Sequence, residues 1–63
     1  MILKFLTNFG QYQPGAEYSI IFQDDEHIIF DTPDGSDIIR VQDGKILRPD
    51  TTEEVAVVNL PSV

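Results

Sequence analysis

Ser19-Ile20-Ile21-Phe22 is the first of four similar tetrapeptides in the chain; the others are His27-Ile28-Ile29-Phe30, Asp37-Ile38-Ile39-Arg40 and Lys45-Ile46-Leu47-Arg48. Each one begins with a polar residue followed by two branched aliphatic residues, and the copies begin eight to ten residues apart. Short runs of this kind, separated by turn-forming residues, are typical of consecutive antiparallel strands rather than of a helix. The repeat therefore predicts an all-β protein.

The segments between the tetrapeptides favour particular turns. Pro14-Gly15 suits the two central positions of a type II turn, and Asp43-Gly44 is a strong signal for a two-residue hairpin turn. Asp24-Asp25 is predicted to form a polar tip, and Pro33-Asp34-Gly35 a three-residue hairpin loop. Together these turns predict strands over 2–6, 16–22, 27–31, 36–41 and 45–48. The β-branched run near the end predicts a sixth strand over 55–60, in preference to a single helical turn.

The predicted loops also determine how the strands pair. The tip places Phe22 opposite His27, the next loop places Ile29 opposite Ile39, and the last turn places Val41 opposite Ile46. One face of the sheet then carries the predicted core, which consists of Tyr18, Ile20, Phe22, Ile29, Ile39, Val41 and Ile46. The other face carries a second apolar set, which consists of Ile21, Ile28, Phe30, Ile38 and Leu47.

This second apolar face is unusual, because an antiparallel sheet with one buried face is normally polar on the other. It is expected to be covered by the first strand, by the C-terminal segment or by another protein chain. We therefore predict a meander of five to six short strands that curls into a small SH3-like barrel, with the first strand wrapped across an open edge.

The chain is predicted to divide near its fiftieth residue. Residues 1–49 would form the small β-barrel domain, and residues 50–63 an acidic linker followed by an apolar C-terminal arm. An apolar arm after an acidic hinge can add a strand to the sheet of a neighbouring protein. It can equally close the sheet of its own domain, and the sequence leaves both alternatives open.

Length and charge limit the possible functions. A chain of 63 residues buries little core, and without cysteine it has no disulfide to support that core, which favours oligomerisation or a larger protein partner. Its formal charge of −7 repels phosphate groups, so binding to nucleic acid or to an anionic membrane is not expected. No apolar run approaches the length that crosses a bilayer.

Catalytic and metal-binding signatures are weak. His27 is the single histidine, and the acidic residues around Asp24-Asp25-Glu26 and Asp31, Asp34 and Asp37 lack the spacing of a calcium-binding loop. No base is placed to activate a serine or threonine. We expect neither an enzyme nor a cofactor.

The opening of the chain resembles that of a group of known proteins. Lys4-Phe5-Leu6, Asn8, Gly10, Tyr12 and Pro14-Gly15 are similar to the start of short structural proteins encoded by tailed bacteriophages. The resemblance covers about the first quarter of the chain. It implies a small virion-associated protein that is made in the host cytoplasm, and it assigns no catalytic residues.

These observations predict a non-enzymatic structural or interaction protein, a small phage virion component that docks on a capsid, connector or tail protein. Capsid decoration is one such role, and a homo-oligomer is also compatible with the sequence. The alternative is an acidic inhibitor that blocks a basic groove of a host protein by imitating nucleic acid. The predicted interface residues are Phe9, Tyr12, Ile21, Ile28, Phe30, Ile38, Leu47, Val55, Val57 and Leu60.

Overall fold

The structure of the protein, a computed structural model, describes residues 1–59. Its strands are β1 (Ile2–Phe5), β2 (Glu17–Gln23), β3 (His27–Thr32), β4 (Gly35–Arg40), β5 (Ile46–Leu47) and β6 (Glu54–Asn59). They form one antiparallel sheet in the order β4-β3-β2-β1-β6-β5, which curls into a half-barrel. The part of the chain described contains no helix. The predicted all-β class and the short antiparallel strands curled towards a barrel are confirmed.

Strand β6 lies inside the sheet. It pairs with β1 on one side, where Leu3 is opposite Val58, and with β5 on the other. Val55 and Ala56 are buried in the core. Residues 54–59, the described part of the predicted arm, therefore pair within the chain's own sheet, which is one of the two alternatives that the sequence left open.

The predicted pairing of β2 with β3 is wrong for two reasons. The tip turn lies one residue later than predicted, since the Asp24 N–H donates to the His27 carbonyl and Gln23 is opposite Ile28, and β2 also contains a bulge. Ile20 is opposite Phe30 and Phe22 is opposite Ile29, so Ile21 is an extra residue on β2. A bulge of this kind shifts the alternation of side chains along the strand. Ile20 therefore packs against the core while Phe22 faces outward.

The turn between β3 and β4 is one residue shorter than predicted. Thr32 is opposite Gly35, so Pro33-Asp34 is a two-residue turn, and Gly35 has a φ of 127° that favours glycine. The shorter turn pairs Ile28 with Ile39, and Ile29 with Ile38.

Two other predicted turns are confirmed. Gln42 pairs with Lys45 around Asp43-Gly44, and both turn residues have the positive φ of a type I′ turn. Ala16 N–H donates to the Gln13 carbonyl across Pro14-Gly15, as a type II turn requires.

The core combines residues from every part of the described chain. Its buried members are Leu3, Phe5, Tyr12, Ile28, Phe30, Ile39, Ile46, Val55 and Ala56, and Phe9, Tyr18, Ile20, Val41 and Val58 pack against them. The predicted core is thus right for Ile39 and Ile46 and wrong for Phe22 and Ile29. Ile28 and Phe30, which were predicted on the second face, are core residues because of the bulge and the shorter turn.

Candidate interaction surface

The outer face of the sheet carries an exposed apolar patch. It is made by Ile21, Phe22, Ile29 and Ile38, and we call it the outer patch. Phe22, Ile29 and Ile38 are direct cross-strand neighbours on β2, β3 and β4, so their side chains lie side by side on one face. The exposed fractions are 60% for Ile21, 52% for Phe22 and 56% for Ile38. These values leave more than half of three large apolar side chains in water.

Polar residues border the outer patch along β3 and β4. His27 pairs with Arg40 at one end of the two strands, and Asp31 pairs with Ser36 at the other. Because side chains alternate along a strand, these residues share the outer face with Ile29 and Ile38. The result is an apolar centre with a polar rim, the usual composition of a protein interface.

Only two of the ten predicted interface residues belong to this patch. Ile21 and Ile38 are exposed as the interface prediction requires, while Phe9, Leu47 and Val57 are partly buried. Leu60 lies outside the described residues. Tyr12, Ile28, Phe30 and Val55 are buried, so the structure corrects their assignment: they cannot contact a partner while the chain stays folded.

Phe22 and Ile29 were missed as surface residues. Their position depends on the bulge at Ile21 and on the two-residue turn at Pro33-Asp34. The repeated Ile-Ile pairs do not reveal either feature, since they place an apolar side chain on both faces in any register.

Tyr12, predicted as an exposed anchor, instead fills the core. Its ring stacks on Phe5 with centroids 4.7 Å apart and meets Phe30 edge-on at 5.4 Å. A tight turn at Gly10-Gln11 brings it there, with paired backbone hydrogen bonds between Phe9 and Tyr12. Aromatic pairs at these distances contribute beyond the area that they bury. The loop thus places the Tyr12 ring inside the half-barrel, where it fills space next to Phe5 and Phe30.

The Tyr12 hydroxyl has polar partners at the edge of this aromatic cluster. It donates to the Asp37 carboxylate and accepts a hydrogen bond of 3.2 Å from the Gln11 amide. Burial raises the pKa of Tyr12, and the hydrogen bond to Asp37 raises that pKa further. The neutral phenol is therefore the stable form in the folded protein.

Replacing Tyr12 by phenylalanine should lower the free energy of unfolding by about 1–2 kcal/mol near neutral pH, because the hydrogen bonds with Asp37 and Gln11 are lost while the ring packing stays. Above a pH of about 10, tyrosine ionises in the unfolded chain before Tyr12 ionises in the folded one. The wild type should then lose its advantage as the pH rises. Urea unfolding of both proteins at neutral and alkaline pH measures the difference, and an advantage that grows with pH would contradict the assignment.

The tip between β2 and β3 is acidic and well ordered by hydrogen bonds. Oδ1 of Asp24 accepts the backbone N–H groups of Glu26 at 2.8 Å and His27 at 2.7 Å. These two hydrogen bonds lower the pKa of Asp24, so its carboxylate stays charged in mildly acidic solution. Within residues 1–59, no three acidic, histidine or cysteine side chains converge as a metal site requires.

Comparison of the chain with protein-family models, with curated proteins and with solved structures finds no match. Over residues 1–59, no helix is present that is long and apolar enough to span a membrane. The outer patch is therefore interpreted from its own geometry.

Proposed function

We propose that the protein is a small non-enzymatic interaction module that docks on a larger protein through the outer patch. The observation that carries the proposal is the row of Phe22, Ile29 and Ile38 across three neighbouring strands, in which Phe22 and Ile38 are exposed and Ile29 is half-buried between them. Large contiguous apolar areas on a small protein usually mark a binding surface. The partner would offer a complementary apolar surface.

The sheet presents this patch rigidly. The three side chains sit on paired strands, so little conformational freedom is lost when a partner covers them. A few side chains supply only part of the roughly 800 Å² that each partner contributes to a standard interface. The outer patch would form the centre of the contact, and the polar residues around His27, Arg40, Asp31 and Ser36 its rim.

We further propose a phage virion as the setting. This step rests on the resemblance of residues 4–15 to short structural proteins of tailed phages. Many copies on a capsid, connector or tail lattice would add their contacts by multivalency, which suits a small patch on each copy.

The alternative of an acidic inhibitor receives less support. The six carboxylates assigned to it lie at the two ends of β3: Asp24, Asp25 and Glu26 precede the strand, while Asp31, Asp34 and Asp37 flank the following turn. Asp37 is also engaged by Tyr12 and by the backbone N–H of Ile38. They do not form one continuous row that would imitate a phosphate backbone.

The proposal can be tested by substituting the outer patch and following attachment to particles. In Phe22→Thr/Ile38→Thr, two apolar side chains become polar while both sites keep a residue that favours strands. Leu6→Thr is the control, because it replaces an exposed apolar side chain just after β1, outside both the outer patch and its rim. Virions from cells infected by the virus that encodes the chain would be purified on a density gradient, and each tagged protein quantified in the particle band.

We expect the wild type and Leu6→Thr in the particle band, and roughly tenfold less of the double variant, which corresponds to about 1.4 kcal/mol per docked copy. Attachment should persist at roughly 1 M salt, because apolar contacts are not screened. Absence of the wild type from the particles would refute the virion setting. Equal loss of the double variant and the control would refute the outer patch.

A further inference from the structure

A second surface of the protein is a cleft with an acidic rim and some apolar lining, separate from the outer patch. It lies between the β2–β3 tip, the β4–β5 turn and strand β6, and its volume is about 620 Å³, within the usual range for binding pockets. The residues that line it are Gln23, Asp24, Asp25, Ile28, Val41, Asp43, Gly44, Ile46, Glu54, Ala56, Val57 and Val58.

The base of the cleft is continuous with the core. Ile28, Ile46 and Ala56 are core residues that also line the cleft, and Val41 and Val58 add partly buried apolar walls. Because those three core residues are almost wholly covered, an apolar side chain that entered the cleft would pack mainly on the partly buried Val41 and Val58. Such a pocket accepts a single aliphatic or aromatic anchor from a partner.

The remainder of the lining is acidic. Asp24 and Asp25 come from the β2–β3 tip, Asp43 from the β4–β5 turn and Glu54 from the start of β6. None of the four basic residues of the chain, all of which fall within residues 1–59, lines this cleft. The two backbone hydrogen bonds to Asp24 hold one of these carboxylates in a fixed orientation. Carboxylates on three separate elements thus surround one apolar base.

We propose that this cleft binds a basic peptide segment of a partner protein, with an apolar side chain in the base and lysine or arginine side chains on the acidic rim. The charges select this occupant, because a basic segment brings cations to the carboxylates of the rim, a purely apolar segment brings none, and an acidic segment would be repelled. A small organic cation would contact carboxylates on only part of the rim. Several lysine or arginine side chains along a peptide can contact carboxylates from the β2–β3 tip, the β4–β5 turn and β6 together. This inference concerns a different surface from the outer patch and does not depend on the proposed function.

The test uses the whole chain and a defined probe, the labelled peptide Arg-Lys-Leu-Phe-Lys-Arg, at low ionic strength. Asp25→Asn/Asp43→Asn removes two rim charges, and asparagine tolerates the positive φ of 53° at position 43. Asp31→Asn/Asp34→Asn is the matched control, because it removes the same charge at the opposite end of β3. Fluorescence anisotropy gives the affinities, and amide chemical shifts from NMR locate the binding site.

We expect the cleft variant to bind the probe at least about fivefold more weakly than the wild type, and the control to differ by less than about twofold. A second peptide with glycine in place of Leu-Phe should bind more weakly than the probe. Chemical-shift changes should centre on Gln23, Val41, Gly44 and Val57.

Three results would overturn the proposal. Equal weakening by the two double variants would mean that the probe responds to overall charge alone. Chemical-shift changes on the outer patch, or none at all, would place the site elsewhere or remove it. Binding that appears only in a chain ending at Asn59 would identify residues 60–63 as the natural occupant.

Discussion

Phe30→Ala should unfold most of the protein at room temperature, whereas Phe22→Ala should leave it folded. The two phenylalanines lie on neighbouring strands but on opposite faces of the sheet. Phe30 is 1% exposed and its ring lies 6.0 Å from that of Phe5 and 5.6 Å from that of Tyr18. Removing such a side chain costs about 3–5 kcal/mol, which approaches the whole stability of a domain this small.

Phe22 provides the matched control, because the same atoms are removed from a side chain that already lies half in water. Its replacement should change the free energy of unfolding by no more than about 1 kcal/mol. Urea titrations followed by circular dichroism and by tyrosine fluorescence measure both variants. The opposite order, with Phe22 the more sensitive position, would show that β2 pairs with β3 without the bulge.

A chain that ends at Glu53 should not fold, whereas a chain that ends at Asn59 should fold like the full sequence. Ending at Glu53 removes β6, which is one of the two strands that pair with β1 and the strand that pairs with β5. It also removes Val55 and Ala56 from the core and exposes Leu3 and Phe5 along the open side of β1. The lost strand pairing and the lost core residues each cost free energy comparable to the whole stability of a small domain.

The dispersion of amide signals in NMR spectra distinguishes the outcomes. Collapsed signals for the chain ending at Glu53, together with a native spectrum for the one ending at Asn59, are the expected pair. A native spectrum for the shorter chain would show that β6 is not needed to close this sheet, and would favour the alternative in which the arm adds a strand to a neighbouring protein.

The parts of the fold that could be predicted are those encoded by neighbouring residues. Asp43-Gly44 and Pro14-Gly15 each favour one turn through their own backbone preferences, and both turns form. The four tetrapeptides predict strands because branched residues fit a pleated sheet. Local chemistry was enough to establish the class of fold.

The parts that could not be predicted depend on contacts distant in sequence. The position of β6 between β1 and β5 joins segments more than 50 residues apart, and the residues within β6 do not specify their partner. The bulge at Ile21 is also invisible locally, since Ile20, Ile21 and Phe22 all favour strands. Two of the four residues of the outer patch, Ile21 and Ile38, were therefore predicted at an interface. The other two, Phe22 and Ile29, were predicted in the core.

Tyr12 shows the same limit at the level of one side chain. An aromatic residue in a loop was interpreted as an anchor for a partner, whereas the Gly10-Gln11 turn folds it back onto Phe5. Only the space left inside the curled sheet decides between these outcomes. The sequence shows that the loop carries an aromatic residue, but it does not show the space inside the folded sheet that this residue fills.

The pairing of β1 with β6 also affects the order in which the protein folds. Strands β2, β3 and β4 are joined by short turns and can pair early in folding, because closing a short loop costs little chain entropy. Ile2 and Asn59 must meet across nearly the whole described chain, and such distant pairing slows folding. During synthesis Leu3 and Phe5 therefore leave the ribosome well before β6, and they gain their last partners only once β6 has followed.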